Sequence, residues 1–176
     1  MHSALGALRR GVGVLALLAR LALPALLGLI AGCATPFNEP PGALRDAVAS
    51  RLGAPTARFP LPSGGERWLY SELPAGYAVY NLDFDPAGRL VHNEQVLNQP
   101  RFEQLSKGAW TTADLQRTFG TPLRIERVAR FDGDIWTYHF LQNSDPRLAH
   151  IHVDPQGVVR RVTFTDELPL FDNDRD

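Results

Sequence analysis

A single cysteine, Cys33, is all that the 176 residues contain, so no disulfide forms within the chain. An excess of one charge is missing too. The 18 basic side chains face 19 acidic ones for a nominal charge of -1, which is not the footprint of a protein that grips a phosphate backbone. Nucleic acid is therefore not an expected partner. Hydrophobic residues at 44%, charged at 21% and aromatic at 9% are ordinary globular values. They exclude a disordered chain as well as collagen, coiled-coil and polytopic membrane classes. Gly-x-Ser-x-Gly, His-Glu-x-x-His and phosphate-loop patterns are absent, and no cofactor is implied.

What is present changes character near residue 33. Met1 to Gly32 holds Arg9, Arg10 and Arg20 without one acidic residue, whereas the remainder is mildly acidic. Leu21 to Ile30 is almost wholly apolar and runs into the small residues Ala31 and Gly32, the order of a secretory signal. A membrane span over Gly11 to Ala31 would place Arg20 near its centre at a cost of roughly 2.5 to 3.5 kcal/mol, with Pro24 weakening the helix further. The shorter apolar run after Arg20 fits the signal reading better.

Cys33 closes the sequence Leu29-Ile30-Ala31-Gly32-Cys33, which resembles a bacterial lipobox. That resemblance implies a diacylglyceryl group on the Cys33 sulfur, cleavage just before it and acylation of the new amino terminus. Each buried methylene contributes about 0.8 kcal/mol, and more than one acyl chain makes the attachment stable. Ala34 stands where an aspartate would resemble an inner-membrane retention signal, so the expected location is the outer membrane, with the folded part in the periplasm.

Two stretches of the mature chain share their punctuation in the same order. Gly53-Ala54-Pro55 recurs as Gly120-Thr121-Pro122, Trp68-Leu69-Tyr70 as Trp136-Thr137-Tyr138, and Asp85-Pro86-Ala87-Gly88 as Asp154-Pro155-Gln156-Gly157. The offsets are 67, 68 and 69, as expected of two copies that differ by small insertions. Before the first Gly-x-Pro, Leu44, Ala47, Val48 and Leu52 follow helical spacing. Before the second, Thr111 and Asp114 have the spacing of a capping box, and Leu115 and Phe119 lie four apart. Another helix is expected from Pro100 to Lys107.

Each helix is followed by strand periodicity. The expected strands are Arg67 to Ser71, Tyr77 to Phe84 and Arg89 to Val96 in the first copy, and Ile135 to Leu141, Ala149 to Val153 and Val158 to Thr165 in the second. An additional strand is allowed in Arg58 to Leu61 or in Leu123 to Phe131, the second of which alternates. Alternation puts Trp136, Tyr138 and Phe140 on one dry face, and Trp68, Tyr70, Leu82 and Phe84 on another.

A helix ending in Gly-x-Pro, a strand with Trp-x-Tyr and a hairpin with an Asp-x-x-Gly turn, all behind a lipobox, resembles the SmpA/OmlA lipoproteins, which include the BamE subunit of the β-barrel assembly machinery. The match is best from Phe102 to Phe164, where Gly108-Ala109-Trp110-Thr111-Thr112-Ala113-Asp114-Leu115 is similar to the family's Gly-x-x-Thr-x-x-x-Val. The resemblance implies an α+β fold of two tandem BamE-like units, each with one or two short helices packed on a three-stranded antiparallel meander. Expected boundaries are a signal peptide at residues 1–32, a tether at 33–42, units at 43–98 and 99–168, and an acidic tail at 169–176. It also implies a non-catalytic lipoprotein that supports outer-membrane protein assembly or envelope integrity by touching an envelope partner, the β-barrel assembly machinery being the first candidate. Tandem units also resemble the architecture of β-lactamase-inhibitor proteins, so the alternative is a periplasmic module that binds or inhibits a soluble enzyme.

Other chemistry is thinly represented. Alternation puts His150 and His152 on one strand face and His139 on the adjacent strand; if the hairpin register pairs them, the three with Asp154 have the residue types of a metal site, although exposed polar residues outside a half-buried sheet need no function. No metal is expected, and a metal-binding envelope protein stands as the remoter alternative function. Asp83 with Asp85 and Asp132 with Asp134 are acidic pairs of a kind that usually solvates turns, and Ser63-Gly64-Gly65 reads as a turn. Mass spectrometry of the mature amino terminus tests the anchor: lipid on Cys33 is expected, and a free thiol there refutes it.

Overall fold

Each glycine of the two Gly-x-Pro points ends a helix. Helix α1 (Arg45–Leu52) stops at Gly53 with φ 77°, and α3 (Thr112–Phe119) stops at Gly120 with φ 72°, a backbone region that favours glycine. Between them lies α2 (Gln99–Glu103), capped by the Asn98 side chain and continued by a 3-10 turn over Gln104–Lys107 that buries Leu105 next to Phe102. The capping box forms as spelled: the Thr111 N–H donates to Asp114 Oδ2 at 2.9 Å, and the Asp114 N–H donates to Thr111 Oγ1 at 3.3 Å. Leu44 caps α1 instead of joining its buried side and is left exposed.

The computed structural model describes residues 35–167. The expected signal peptide at 1–32, Cys33, Ala34 and the tail at 169–176 lie outside the described residues. Strands β1 (Ala57–Pro60), β2 (Glu66–Ser71), β3 (Val79–Phe84) and β4 (Leu90–Gln95) form one antiparallel sheet in chain order. A second sheet is built the same way from β5 (Arg124–Val128), β6 (Phe131–Gln142), β7 (Asp145–Val153) and β8 (Val159–Asp166).

This overturns the fold expected from the sequence. The body is two four-stranded antiparallel sheets with few, short helices, not two tandem BamE-like α+β units with three-stranded meanders. The two added strands explain the error. β1 is four residues long, half-buried only at Ala57 and Phe59 and ended by Pro60, and β5 is exposed along its whole length, so neither has the fully buried side chains that mark the inner strands. Both are edge strands, where pairing on one side is sufficient.

The halves repeat each other in their hydrogen bonds. The Tyr70 hydroxyl donates to the Gly53 carbonyl at 3.0 Å, and Tyr138 to Gly120 at 2.9 Å. The Arg45 N–H donates to Gly88 O at 2.8 Å, and Thr112 to Gly157 O at 2.9 Å, seating each helix start on its hairpin turn. Even the irregularities coincide. Register slips once between β3 and β4, leaving Val91 as the unpaired residue of a bulge, and once between β7 and β8, leaving Arg160 in the same role.

Packing joins the halves. Trp68, Tyr70, Leu82 and Phe84 of the first sheet close over Val48 of α1. The opposite face turns Leu69 and Val79 into the larger core, with Phe102, Leu115 and Phe119 from the helices and Trp136, Tyr138, Phe140 and Ile151 from the second sheet. A Cβ at Gly120 would come within 3.2 Å of Leu69, and the buried Asn81 side chain donates to the Thr118 carbonyl at 3.0 Å. The first sheet is therefore dry on both faces around β2 and β3, and α3 is covered by residues of both sheets.

Tyr138→Phe leaves the buried Gly120 carbonyl without its donor and is expected to lower stability by about 1–3 kcal/mol. The urea midpoint should fall without a change in slope. An unchanged midpoint would show that the hydroxyl does not hold the helix end.

Candidate functional site

The segment ahead of α1 is fastened to the first sheet. Pro36–Asn38 forms a 3-10 turn, and Asn93 Nδ2 on β4 donates to the carbonyls of Pro36 at 2.7 Å and Phe37 at 3.3 Å. Glu39 is buried and ion-paired with Arg51 of α1, which raises the Arg51 pKa further through their hydrogen bond. Gly42 and Ala43 exchange backbone hydrogen bonds with Leu90 at 2.7 and 2.9 Å. Residues 35–42, read from the sequence as part of a tether, thus lie along β4. Phe37, Pro41 and Val91 line a shallow groove of about 330 Å³ there.

The three histidines share one face of the second sheet, but that face is not simply wet. His139 and His152 are buried, His139 against Tyr77 with ring centroids 4.3 Å apart and His152 edge-on to Phe131 at 5.0 Å. His139 Nδ1 lies 3.3 Å from Glu167 Oε1. His150 has both ring nitrogens engaged by hydroxyls, Nδ1 with Thr137 Oγ1 at 3.1 Å and Nε2 with Thr165 Oγ1 at 2.9 Å. Among the described residues, no group of three or more His, Cys, Asp or Glu side chains converges to hold a metal ion. Asp154 is turned to its own hairpin: it accepts from the Val158 N–H at 2.9 Å and pairs with Arg160, and these bonds lower its pKa.

The acidic pairs do not act as pairs. Asp83 accepts from Arg67 Nε and Nη2, each at 2.7 Å, across β2 and β3, while Asp85 accepts from the Arg89 N–H at 2.8 Å to close its turn. Asp134 is paired with Arg127 at 2.8 Å. It lines, with Asp132, Arg127 and Asp154, an open groove of about 510 Å³ at the β5–β6 hairpin. Ser63 and Gly64 form a turn between β1 and β2, as read.

A surface suited to contact is more evident than a reaction centre. β5 is exposed from end to end and presents Ile125 and Val128 to solvent beside an edge that is unpaired among the described residues. The alternation of Leu123 to Phe131 and the strand expected over Arg89 to Val96 do not say that Ile125, Val128 or Val91 is exposed, and Phe37 lies among turn residues without a period. Comparing the two copies position by position is the signal that finds Val91, since Arg160 holds the matching bulge.

No family model matches the chain, and no curated protein matches it either. Among solved structures, a DUF4309 family protein, YjgB, from Bacillus subtilis is 18% identical over 77% of this chain and 83% of that one, with a TM-score of 0.30. A likeness at that score carries neither fold nor function to this chain.

The histidine face makes a pH prediction. Burial first, and then the charge of Arg124, lowers the His150 pKa below its ordinary 6.5; burial, Arg161 and His150 lower that of His152. The unfolded chain therefore binds more protons than the folded one as pH falls through 6.5. Their contribution to stability is complete above that pH and is lost as pH falls through the folded values. Urea midpoints should drop between neutrality and about pH 5, with NMR titration midpoints for both rings below the ordinary value. Midpoints at or above it contradict the prediction.

Proposed function

We propose that the protein is a lipoprotein of the outer membrane, anchored through Cys33 with its folded part in the periplasm, that works by contact with an envelope protein rather than by catalysis. The observation that carries this reading is the Leu-Ile-Ala-Gly-Cys sequence two residues ahead of the first described residue, Thr35. Support for assembly of outer-membrane proteins, with the β-barrel assembly machinery as partner, is the specific form of the proposal.

The surface offered to that partner is β5. Ile125 and Val128 are 52% and 45% exposed on a strand whose outer edge is unpaired among the described residues, and such an edge accepts another strand through its backbone groups. The flanking Arg124 and Glu126 bond to each other at 2.6 Å and shield the edge only weakly. The alternative, a module that grips a soluble enzyme between its halves, finds less room: Leu69, Asn81, Thr118 and Gly120 fill the junction.

Co-purification from detergent-solubilised envelopes tests the reading. Barrel-assembly subunits are expected with the intact chain, and their recovery should fall about tenfold when Ile125→Lys and Val128→Lys together remove an apolar contact of roughly 1–2 kcal/mol. Recovery of a soluble periplasmic enzyme in their place would overturn the scaffold role.

A further inference from the structure

We infer that the groove lined by Phe37, Pro41 and Val91 is the face that rests on the lipid bilayer, with Phe37 and Val91 entering its interface. The inference rests on the anchor proposed at Cys33 and adds to it the orientation of the folded body.

Three observations carry it. The first is distance along the chain. Cys33 precedes Thr35 by two residues, a span of at most about 7 Å, and Pro36–Asn38 follows at once. Because Asn93 Nδ2 holds the carbonyls of Pro36 and Phe37, the body begins where the anchor ends, without a long leash. Acyl chains on Cys33 therefore bring this end of β4 to the membrane surface.

The second is exposure. Phe37 is 67% and Val91 60% exposed, the two most exposed of the large hydrophobic residues among those described. They line the same shallow groove with Pro41. The acidic residue of that groove, Glu39, is turned inward and neutralised by Arg51, so it does not oppose approach to lipid. Apolar side chains at such a boundary sink about 5–10 Å into the headgroup and acyl region.

The third is a comparison internal to the molecule. The bulge residue of the first sheet is Val91, and its counterpart in the second is Arg160, which reaches Asp154 in its own hairpin turn. The fold accepts a charged, paired residue at this position. An exposed valine there is not required by packing, and it occurs in the half that adjoins the anchor.

The test uses the full lipoprotein purified from membranes. Acylation leaves no free thiol, so Phe37→Cys, Val91→Cys and, as a control on the second sheet outside the groove, Val128→Cys each create one site for an NBD label. All three positions are exposed, and circular dichroism checks that each variant is folded. The labelled proteins are reconstituted into vesicles of phosphatidylethanolamine and phosphatidylglycerol whose acyl chains carry nitroxides. Labels at 37 and 91 should lose most of their emission to the nitroxides, and the label at 128 almost none. Equal emission at all three sites, with lipid on Cys33 shown by mass on the same sample, overturns the bilayer face and leaves the anchor standing. Absence of that lipid, with equal emission, overturns both. A response of the labels at 37 and 91 to added envelope proteins in detergent, without quenching in vesicles, assigns the groove to a protein and also overturns the inference.

Discussion

Each half of this protein is fixed by one hydrogen bond between a tyrosine in the second strand and the glycine that ends its helix. Tyr70 reaches the Gly53 carbonyl and Tyr138 the Gly120 carbonyl. The carbonyl at a helix end needs a donor, and a phenol supplies one while its ring remains in the core. Burial pushes the Tyr138 phenol pKa far up, so the group stays a neutral donor at any physiological pH. With the helix end fixed to the sheet and the helix start seated on the hairpin turn, the angle between helix and strands is set at both ends.

That repeated frame also explains how a chain with short helices makes a substantial core. Neither α1 nor α3 is longer than eight residues, so neither covers a sheet alone. The second half presents α3 to both sheets, and Leu69 and Val79 enter the core that holds Phe102, Phe119 and Tyr138. The first sheet thus loses the wet face that an isolated antiparallel sheet would keep. Asn81, the polar residue trapped by this arrangement, is retained by donating to Thr118.

The repeat and most of the strands were legible because turns and alternation are local. Gly53-Ala54-Pro55 and Gly120-Thr121-Pro122 marked both helix ends, and Trp136, Tyr138 and Phe140 marked a buried face. The edge strands were less legible, since Arg58 to Leu61 is short and ends at Pro60, and the alternation of Leu123 to Phe131 does not decide whether that segment pairs, and their addition changed the fold class. Burial of Leu69 and Val79 was not legible either, because it depends on which face of one half meets the other. The histidines show the same limit: alternation put His150 and His152 on one face, but the β6–β7 register brings His139 to that face, and Tyr77 and Phe131, outside the strand runs that hold them, decide that His139 and His152 are dry. For the candidate surfaces, Cys33 was visible as a motif, whereas Phe37, Val91, Ile125 and Val128 emerged only from exposure in three dimensions.

The paired bulges have a consequence for how such a chain diversifies. A residue outside the ladder is released from the cross-strand partner that constrains its neighbours, so Val91 and Arg160 are positions where duplicated halves can part company without disturbing the interior. One sheet can carry a greasy bulge and the other an ionic one while the scaffold beneath stays common to both. A repeated framework thereby acquires two differently dressed halves with no need for a separate domain to tell them apart.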